Sequence, residues 1–312
     1  MDYSFSDEQV EVLAALKPVL AKHAGSTRAR AVLADSGIDT ELIGELAEFG
    51  IFEPEFVEEY GPLMLAAIVE EVVEHAAVAP IGTELFARAL ADIGALPGPL
   101  ALVQSRGPEH VPFGAQAQSV LVIEHGRVWH VEHGATAGAE NRTFPIPVAP
   151  ITVASDAVLR ELPVDARTLN AIWRLGLATE IVGASTAALK LTIGHLTARE
   201  QFGRPLASFQ AIQHRLAEVH VRIEGARWLC RNAAWHSAAP LEAAIAATAA
   251  METARVAMWE LQQLQGAIGF TLEYDLHHFT LRDHVLRQSM EGARGSHAIA
   301  AAEERWLHPA SA

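Results

Sequence analysis

Residues 199–213 read Arg199-Glu200-Gln201-Phe202-Gly203-Arg204-Pro205-Leu206-Ala207-Ser208-Phe209-Gln210-Ala211-Ile212-Gln213. They join two long segments with helical periodicity, 174–199 before them and 211–237 after them. Glycine and proline favour a turn here, because glycine permits a positive φ and proline lacks the N–H that a helix interior needs. These backbone requirements alone would explain the composition, so the stretch is predicted to be a helix connection whether or not it carries chemistry.

The sequence after this turn continues the helical pattern. A third long segment covers 241–264, a shorter helix is expected from Asp283, and Ala239-Pro240 is a short connection. Three helices of this length with short connections should pack antiparallel as a bundle. The alanine-rich run 243–250 would let helices approach closely, as bundle core or as a subunit interface.

The first ninety-odd residues are also predicted to be helical. Ser6 and Gln9 form a capping box before a helix with apolar residues at helical spacing. A second helix is expected over 40–49, ended by Gly50, and 62–91 should hold one or two more around a break at 80–82.

The composition changes between about 96 and 165, where proline and glycine are frequent. Residues 119–123 and 127–131, on either side of His125-Gly126, predict a β-hairpin, and further strands are expected at 151–153 and 159–162. The predicted fold is mostly α with a small β middle domain. The predicted domains are an N-terminal helical domain (1–95), a reduced β domain (96–165) and a C-terminal four-helix-bundle domain (166–312).

Charge and composition restrict the function classes. The 312 residues hold 23 basic and 38 acidic side chains, a net charge of −15, which argues against nucleic acid as a partner. No apolar run reaches the ~20 residues of a membrane span, and the acidic start does not resemble a signal peptide, so we expect a cytoplasmic protein. The chain is 50% hydrophobic and 20% charged, which predicts an oligomer.

Metal and disulfide chemistry are not expected. Cys230 is the single cysteine and is predicted to be a small buried residue. No His-Glu-x-x-His pattern accompanies the histidines, so no metal site is predicted.

The turn at 199–213 resembles a motif of the acyl-CoA dehydrogenase family, in which Arg is followed by Phe-Gly, Leu, Phe-Gln and Gln. Residues 262–273 resemble the family's glycine-rich stretch ending in Gly-Phe-Thr-x-Glu. Arg282-Asp283 and Met290-Glu291-Gly292 resemble two further motifs, and 49–61 resembles the family's helical N-terminal domain. The resemblance covers nearly the whole chain and implies the acyl-CoA dehydrogenase fold.

The resemblance also implies an activity and a cofactor, FAD. Family members remove two hydrogens from the Cα–Cβ bond of an acyl-CoA thioester, and Glu291 falls at the position of the carboxylate that takes the α-proton. An apolar pocket raises the pKa of such a carboxylate, which suits it to this task. The residues that would reach a flavin held by a neighbouring subunit are Arg199, Phe202, Leu206, Gln210, Gln263 and Gly266.

Two residues match the family near the acyl-CoA pocket. Arg174 corresponds to an arginine close to that pocket, so we expect it to bind substrate. Some family members carry an alternative catalytic glutamate at the position of Trp173, so no catalytic base is expected at this position. Trp173 either narrows the thioester channel or, as the more frequent role of such a residue, packs between helices.

The sequence departs from the family where a subunit holds its own flavin. The Thr-Glu-Pro-Gly-Ala-Gly-Ser-Asp type segment and the Trp-Ser/Thr pair are missing, 103–107 stands where that segment belongs, and Ala293 and Gly295 replace later flavin contacts. Residues that serve a partner's flavin are kept while those for this chain's own flavin are lost. The chain thus resembles the short subunits of heteromeric acyl-CoA dehydrogenases of bacterial steroid side-chain degradation.

The implied partners are an acyl-CoA substrate, a full-length paralogue in a heterotetramer, and an electron-transfer flavoprotein as acceptor. A homo-oligomer remains an alternative, in which Glu291 is the working base. In a heteromer the working base would belong to the paralogue. The alternative function is a non-catalytic paralogue that only stabilises the assembly.

Overall fold

The computed structural model describes residues 4–290. Six helices lead the chain: α1 (Asp7–His23), α2 (Ser26–Asp35), α3 (Thr40–Glu48), α4 (Pro54–Tyr60), α5 (Pro62–Glu74) and α6 (Ile81–Leu90). The capping box at Ser6 and Gln9 is confirmed. The break predicted at 80–82 is displaced, because Ile81 and Gly82 already belong to α6 and the interruption runs from His75 to Pro80.

A five-stranded sheet follows the helices. Its strands are β1 (Leu100–Val103), β2 (Glu109–Pro112), β3 (Ser119–Glu124), β4 (Arg127–Ala137) and β5 (Val148–Asp165), in the order β1-β3-β4-β5-β2. Only the β1–β3 pair among these is parallel. The predicted hairpin is confirmed, and its turn residues His125 and Gly126 have φ values of 52° and 77°.

Two details of the sheet differ from the prediction. The strands expected at 151–153 and 159–162 are one strand, β5, which runs for 18 residues and pairs with β4 through irregular register. Strands β1 and β2 were not predicted, because each is only four residues long and too short for a clear alternation.

The C-terminal part is a bundle of α7 (Ala166–Ala198), α8 (Gln210–Trp235), α9 (Pro240–Gln265) and α10 (Leu276–Ser289). Helix α7 begins eight residues before the predicted start, because Asp165 caps it by accepting a hydrogen bond from the Thr168 N–H. Helix α10 begins seven residues before Asp283. The alanine-rich run of α9 forms core, with five of its alanines fully buried: Ala243, Ala244, Ala246, Ala247 and Ala250.

Cys230 lies in this core, as predicted. Burial raises the pKa of its thiol to about 12, so the thiol stays protonated and unreactive at neutral pH. Between residues 4 and 290 no helix combines the length and apolar character needed to cross a bilayer.

Helices α6 and α7 cross at two glycines in close backbone contact. A Cβ added at Gly176 would lie 2.6 Å from the Gly82 carbonyl oxygen, and one added at Gly82 would lie 2.4 Å from the Gly176 oxygen. Real Cβ contacts do not approach this closely, so a side chain at either position must push the helices apart.

Gly176→Ala should therefore lower the free energy of unfolding by about 1–3 kcal/mol, the range for overpacked cores. The matched control is Gly44→Ala in α3, where an added Cβ meets nothing within 4 Å. That control should stabilise the chain by about 0.5–1 kcal/mol, since alanine is the better helix former. Urea unfolding of both variants checks the two expected changes in stability. Equal unfolding midpoints for Gly176→Ala and Gly44→Ala would contradict the close contact.

His278 is a buried histidine on α10 without hydrogen bonds to either ring nitrogen. Its ring centroid lies 4.2 Å from that of His277. Burial, followed by the neighbouring His277, lowers the pKa of His278 to about 4. The folded protein therefore keeps His278 neutral down to acidic pH, whereas the unfolded chain protonates it near pH 6.5.

Stability should consequently fall as the pH drops from about 6.5 towards 4, because only the unfolded state binds the proton in that window. The loss is about 1.4 kcal/mol per pH unit from this residue. His278→Leu should remove that part of the acid sensitivity and leave stability at pH 7 intact, since no hydrogen bond is lost. The free energy of unfolding at pH 7 and at pH 5 checks this, with the exposed His284→Leu as control. If His278→Leu lost as much stability between the two pH values as the unmodified chain, the prediction would be refuted.

Candidate functional site

The connection between α7 and α8 folds as a small hairpin. Strand β6 (Glu200–Gln201) pairs with β7 (Arg204–Pro205), and Phe202 and Gly203 form the tip with φ values of 55° and 78°. The Leu206 N–H donates to the Arg199 carbonyl at 2.9 Å, which closes the loop. A single turn of 3-10 helix (206–208) then leads to Gln210, the first residue of α8. Four of the predicted flavin contacts, Arg199, Phe202, Leu206 and Gln210, thus lie between the end of α7 and the first residue of α8.

Aromatic and cationic side chains lie on the surface of this hairpin and of the turn that follows it. Phe202 exposes 88% of its surface, and its ring meets that of Phe209 edge-to-face at 6.1 Å. The Arg204 guanidinium lies 4.0 Å from the centre of the Phe209 ring. A phenylalanine this exposed, held in a defined turn, is typical of a surface that contacts another molecule.

The remaining two predicted flavin contacts lie at the end of α9. Gln263 is exposed, and Gly266 ends the helix with a φ of 70°, a conformation that favours glycine. The neighbouring Gln265 side chain donates to the Thr192 hydroxyl of α7 at 2.8 Å. This bond places the end of α9 beside the last two turns of α7, so both motifs lie at the same end of the bundle.

The last turn of α7 also carries His195, whose ring meets Tyr274 edge-to-face at 5.6 Å. Burial, followed by the charge of Arg199, lowers the pKa of His195. His195 is therefore neutral at pH 7, and Arg199 supplies the positive charge of this turn. The Tyr274 hydroxyl donates to the Leu191 carbonyl at 3.1 Å, which fixes the segment after α9 against α7.

These groups fit a flavin nucleotide presented by a neighbouring molecule. The Arg199 guanidinium can bind a pyrophosphate through two parallel hydrogen bonds, and the amides of Gln210 and Gln263 can donate or accept. All three side chains are exposed, and a Cβ placed at Gly266 would meet nothing within 4 Å. The surface is therefore open to a ligand from outside the chain.

Arg174 and Trp173 lie far from this surface. They are in the third turn of α7, 25 residues before Arg199, which corresponds to about 38 Å along the helix. Trp173 is half-buried against the core, together with Leu177, Phe113 and Leu286. The cavity that these side chains enclose measures about 20 Å³, room for about one water molecule.

The segment that replaces the family's flavin loop is bonded within the chain. The Arg106 guanidinium pairs with Glu124 and donates to the carbonyls of Ala154 and Ser155 at 3.1 and 3.0 Å. The Gln104 amide donates to Asn170 at 2.8 Å. These side chains tie the segment to β3, β5 and α7.

Glu291, together with Ala293 and Gly295, lies outside the described residues. Sequence reasoning missed Phe113, Leu177 and Leu286, which close the space beside Trp173. Their positions carry no motif, and only the packing of the sheet against α7 and α10 brings them together. Sequence reasoning also missed Thr192, which positions the end of α9.

Known proteins similar to this chain share one family. Residues 165–304 match the family model "Acyl-CoA dehydrogenase, C-terminal domain". The chain is 32% identical over 293 residues to acyl-CoA dehydrogenase IpdE2 of Mycobacterium tuberculosis, covering 88% of this chain and 91% of that protein. This chain belongs to the acyl-CoA dehydrogenase family. The predicted family and the predicted acyl-CoA dehydrogenase fold are both confirmed.

Solved structures of the acyl-CoA dehydrogenase fold are similar over nearly the full length. The Tcur3481–Tcur3483 steroid ACAD matches with a TM-score of 0.79 and 25% identity, covering 95% of this chain and 97% of that chain. The ChsE4–ChsE5 complex from Mycobacterium tuberculosis matches with a TM-score of 0.80 and 19% identity, covering 97% and 98%. The chain is thus an oxidoreductase of the acyl-CoA dehydrogenase family.

Proposed function

We propose that this chain is one subunit of a heteromeric acyl-CoA dehydrogenase and completes the flavin site of a full-length paralogue. The observation that carries the proposal is the contrast between the two ends of α7. At one end, Arg199 and its neighbours form an open surface suited to a flavin. At the other, the space beside Trp173 has about 20 Å³ left.

Bound FAD would supply the hydride acceptor for α,β-dehydrogenation of an acyl-CoA thioester. Arg199 would hold the pyrophosphate, Phe202 and Leu206 would cover apolar parts of the nucleotide, and the amides of Gln210 and Gln263 would fix its polar edges. Gly266 would leave room for the close approach of the ligand. Each of these roles is binding and orientation.

The substrate would bind in the paralogue. A thioester chain needs several hundred Å³, and the small cavity beside Trp173 cannot take one without moving that side chain. We infer that the base taking the α-proton also belongs to the paralogue, and that neither Glu291 nor Arg174 of this chain touches the acyl group. The similar structure titled a steroid ACAD supports a steroid-derived thioester as the substrate class, and the one titled an electron transferring flavoprotein supports such a protein as the electron acceptor.

Glu291→Gln provides the test of this division. In the mixed assembly, the rate of dehydrogenation with an artificial electron acceptor should stay within about twofold of the unmodified rate, because the working base belongs to the paralogue. Removal of a working base would lower the rate by about a hundredfold or more. The equivalent change in the paralogue's base should abolish activity. A hundredfold loss from Glu291→Gln would overturn the division and favour a working base in this chain.

A non-catalytic role is the second candidate, favoured by the same closed cavity. A chain that only stabilises the paralogue would tolerate loss of Arg199 with unchanged flavin content. The Arg199 variant described below therefore separates the two functions.

A further inference from the structure

A cavity of about 940 Å³ lies beside α6, in the N-terminal half of the chain. Ile81, Glu84 and Arg88 line it at spacings of three and four residues, so one face of α6 forms a wall. The turn from α6 to β1 and the residues that lead into α3 and α4 complete the lining. We name this space the α6 cavity, and its larger apolar lining residues are Ile38, Ile43, Phe52, Ala79, Pro80 and Ile81.

The size and the walls of the α6 cavity suit a small apolar molecule. Its volume lies within the roughly 300–1,000 Å³ of cavities that hold ligands of ordinary drug size. Ile38, Ala79 and Ile81 expose at most 7% of their surfaces, so these side chains form a fixed apolar wall. A ligand of this cavity would therefore have a mainly apolar body of about 20 to 30 non-hydrogen atoms.

One buried hydrogen-bond acceptor in the lining has no partner. The Gln116 amide nitrogen donates to the Ser36 carbonyl at 3.2 Å and to the Glu140 carboxylate, which fixes the orientation of the amide. Gly37 allows this packing, because a Cβ there would lie 2.8 Å from the same nitrogen. The Gln116 amide oxygen is buried and accepts no hydrogen bond from the described residues. Because a buried oxygen without a donor is unfavourable, a ligand that donates to it would bind more tightly.

The charged side chains of the α6 cavity oppose an anionic ligand. The Arg88 guanidinium is already engaged, since it pairs with Glu84 at 2.9 Å and donates to the Leu96 carbonyl at 3.0 Å. Glu53 and Asp92, by contrast, form no ion pair with any described residue. Both carboxylates are exposed, so water solvates them and they require no counter-ion. The cavity thus offers acceptors and unpaired negative charge.

We propose that the α6 cavity binds an uncharged, mostly apolar alcohol, whose hydroxyl group donates to the Gln116 amide oxygen. The hydroxyl is favoured over an ammonium group because the acceptor without a partner is a neutral amide. A carboxylate or phosphate head group is disfavoured, because it would lose water beside Glu53 and Asp92. An ester of the same alcohol would fill the same space but leave Gln116 without a donor.

This site does not rest on the proposed function, because it uses a different part of the molecule. Gly82 of α6 contacts α7 at Gly176, which is 23 residues before Arg199, or about 35 Å along the helix. The phosphates of an acyl-CoA are disfavoured by the same negative charge, so the cavity is not a second place for the thioester. Failure of this proposal would leave the flavin surface unaffected.

Retinol is a suitable probe, because it is an uncharged alcohol with about 20 non-hydrogen atoms and its fluorescence rises in an apolar site. We expect the purified full chain to bind retinol with a dissociation constant of about 1–100 μM. Competitors with the same apolar body report on the head group. Retinyl acetate has no donor and should bind about five- to tenfold more weakly, whereas retinoic acid, an anion at pH 8, should bind about tenfold or more weakly. Retinylamine should also bind more weakly than retinol.

Three variants assign the binding to this cavity. Ala91→Trp with Ala95→Trp places two indole rings on the lining and should weaken retinol binding about tenfold or more. Ala21→Trp with Ala217→Trp, at exposed positions outside the lining, is the matched control and should leave binding unchanged. Gln116→Leu removes the acceptor and should abolish the preference for retinol over retinyl acetate. The melting temperature of each variant shows whether it is folded.

The role of charge has its own test. Glu53→Gln with Asp92→Asn should strengthen the binding of retinoic acid about threefold or more and leave retinol binding unchanged. No saturable binding of retinol by the unmodified chain would overturn the proposal. Equal binding by the variant with tryptophan at 91 and 95 would do the same, because the probe would then lie elsewhere. Equal affinities for retinol and retinoic acid would contradict the assigned head group.

Discussion

Arg199→Ala should lower the flavin affinity of the mixed assembly by roughly ten- to hundredfold, the effect of losing charged hydrogen bonds to a phosphate. Arg199 is exposed, and its side chain makes no structural ion pair among those of the described residues. The backbone N–H of Arg199 caps α7 by donating to the His195 carbonyl, and alanine keeps that bond. The fold and the contact with the paralogue should therefore survive.

Flavin absorbance per complex after desalting measures the effect, and titration with FAD gives the affinity. Arg127→Ala is the matched control, since that exposed arginine on β4 pairs with Glu161 far from the turn. Arg199→Lys should be intermediate, because lysine keeps the charge and loses the two-pronged geometry. Unchanged flavin in Arg199→Ala would favour the non-catalytic role.

Arg282→Met should lower the free energy of unfolding by about 3–5 kcal/mol, the cost of breaking a buried ion pair from one side. The Arg282 guanidinium is 2.7 Å from the Glu180 carboxylate and donates to the Ala77 carbonyl at 2.6 Å. The other Glu180 oxygen accepts the Gly82 N–H at 2.8 Å. Without the arginine, a carboxylate inside the core loses its counter-ion, and α10 loses its tie to the chain before α6.

Urea unfolding measures this loss, with Arg255→Met as control. Arg255 pairs with Glu252 on the surface of α9, where an ion pair is worth less than about 1 kcal/mol. Adding Glu180→Leu to Arg282→Met should recover part of the stability, because the unpaired charge is removed. Equal losses from the Arg255 and Arg282 variants would contradict the buried role of Arg282.

The helices were predictable where local signals are strong. The Ser6 capping box and the glycine after α3 mark their helix ends correctly, because caps depend on residues close in the chain. The start of α7 was missed because its first turns are covered by the sheet and do not show a clean period. Strands β1 and β2 depend on partners distant in sequence, which no local pattern reveals.

The candidate site was predictable only through motifs. The six residues that we propose to contact a flavin follow from family spacing, and their common location at one end of the bundle depends on the Gln265–Thr192 bond. The motif pair Arg282-Asp283 gave no sign of its structural role. The Asp283 carboxyl lies 3.0 Å from the Ser185 hydroxyl and burial raises its pKa, so both motif residues lie inside the bundle.

The most direct measurement is the flavin content of this chain purified alone and after co-expression with a full-length paralogue. We predict a colourless chain alone and a yellow complex whose flavin depends on Arg199. Stoichiometric flavin bound to the chain alone would contradict the completion of a partner's site. It would instead make this chain a homo-oligomeric dehydrogenase with Glu291 as its working base.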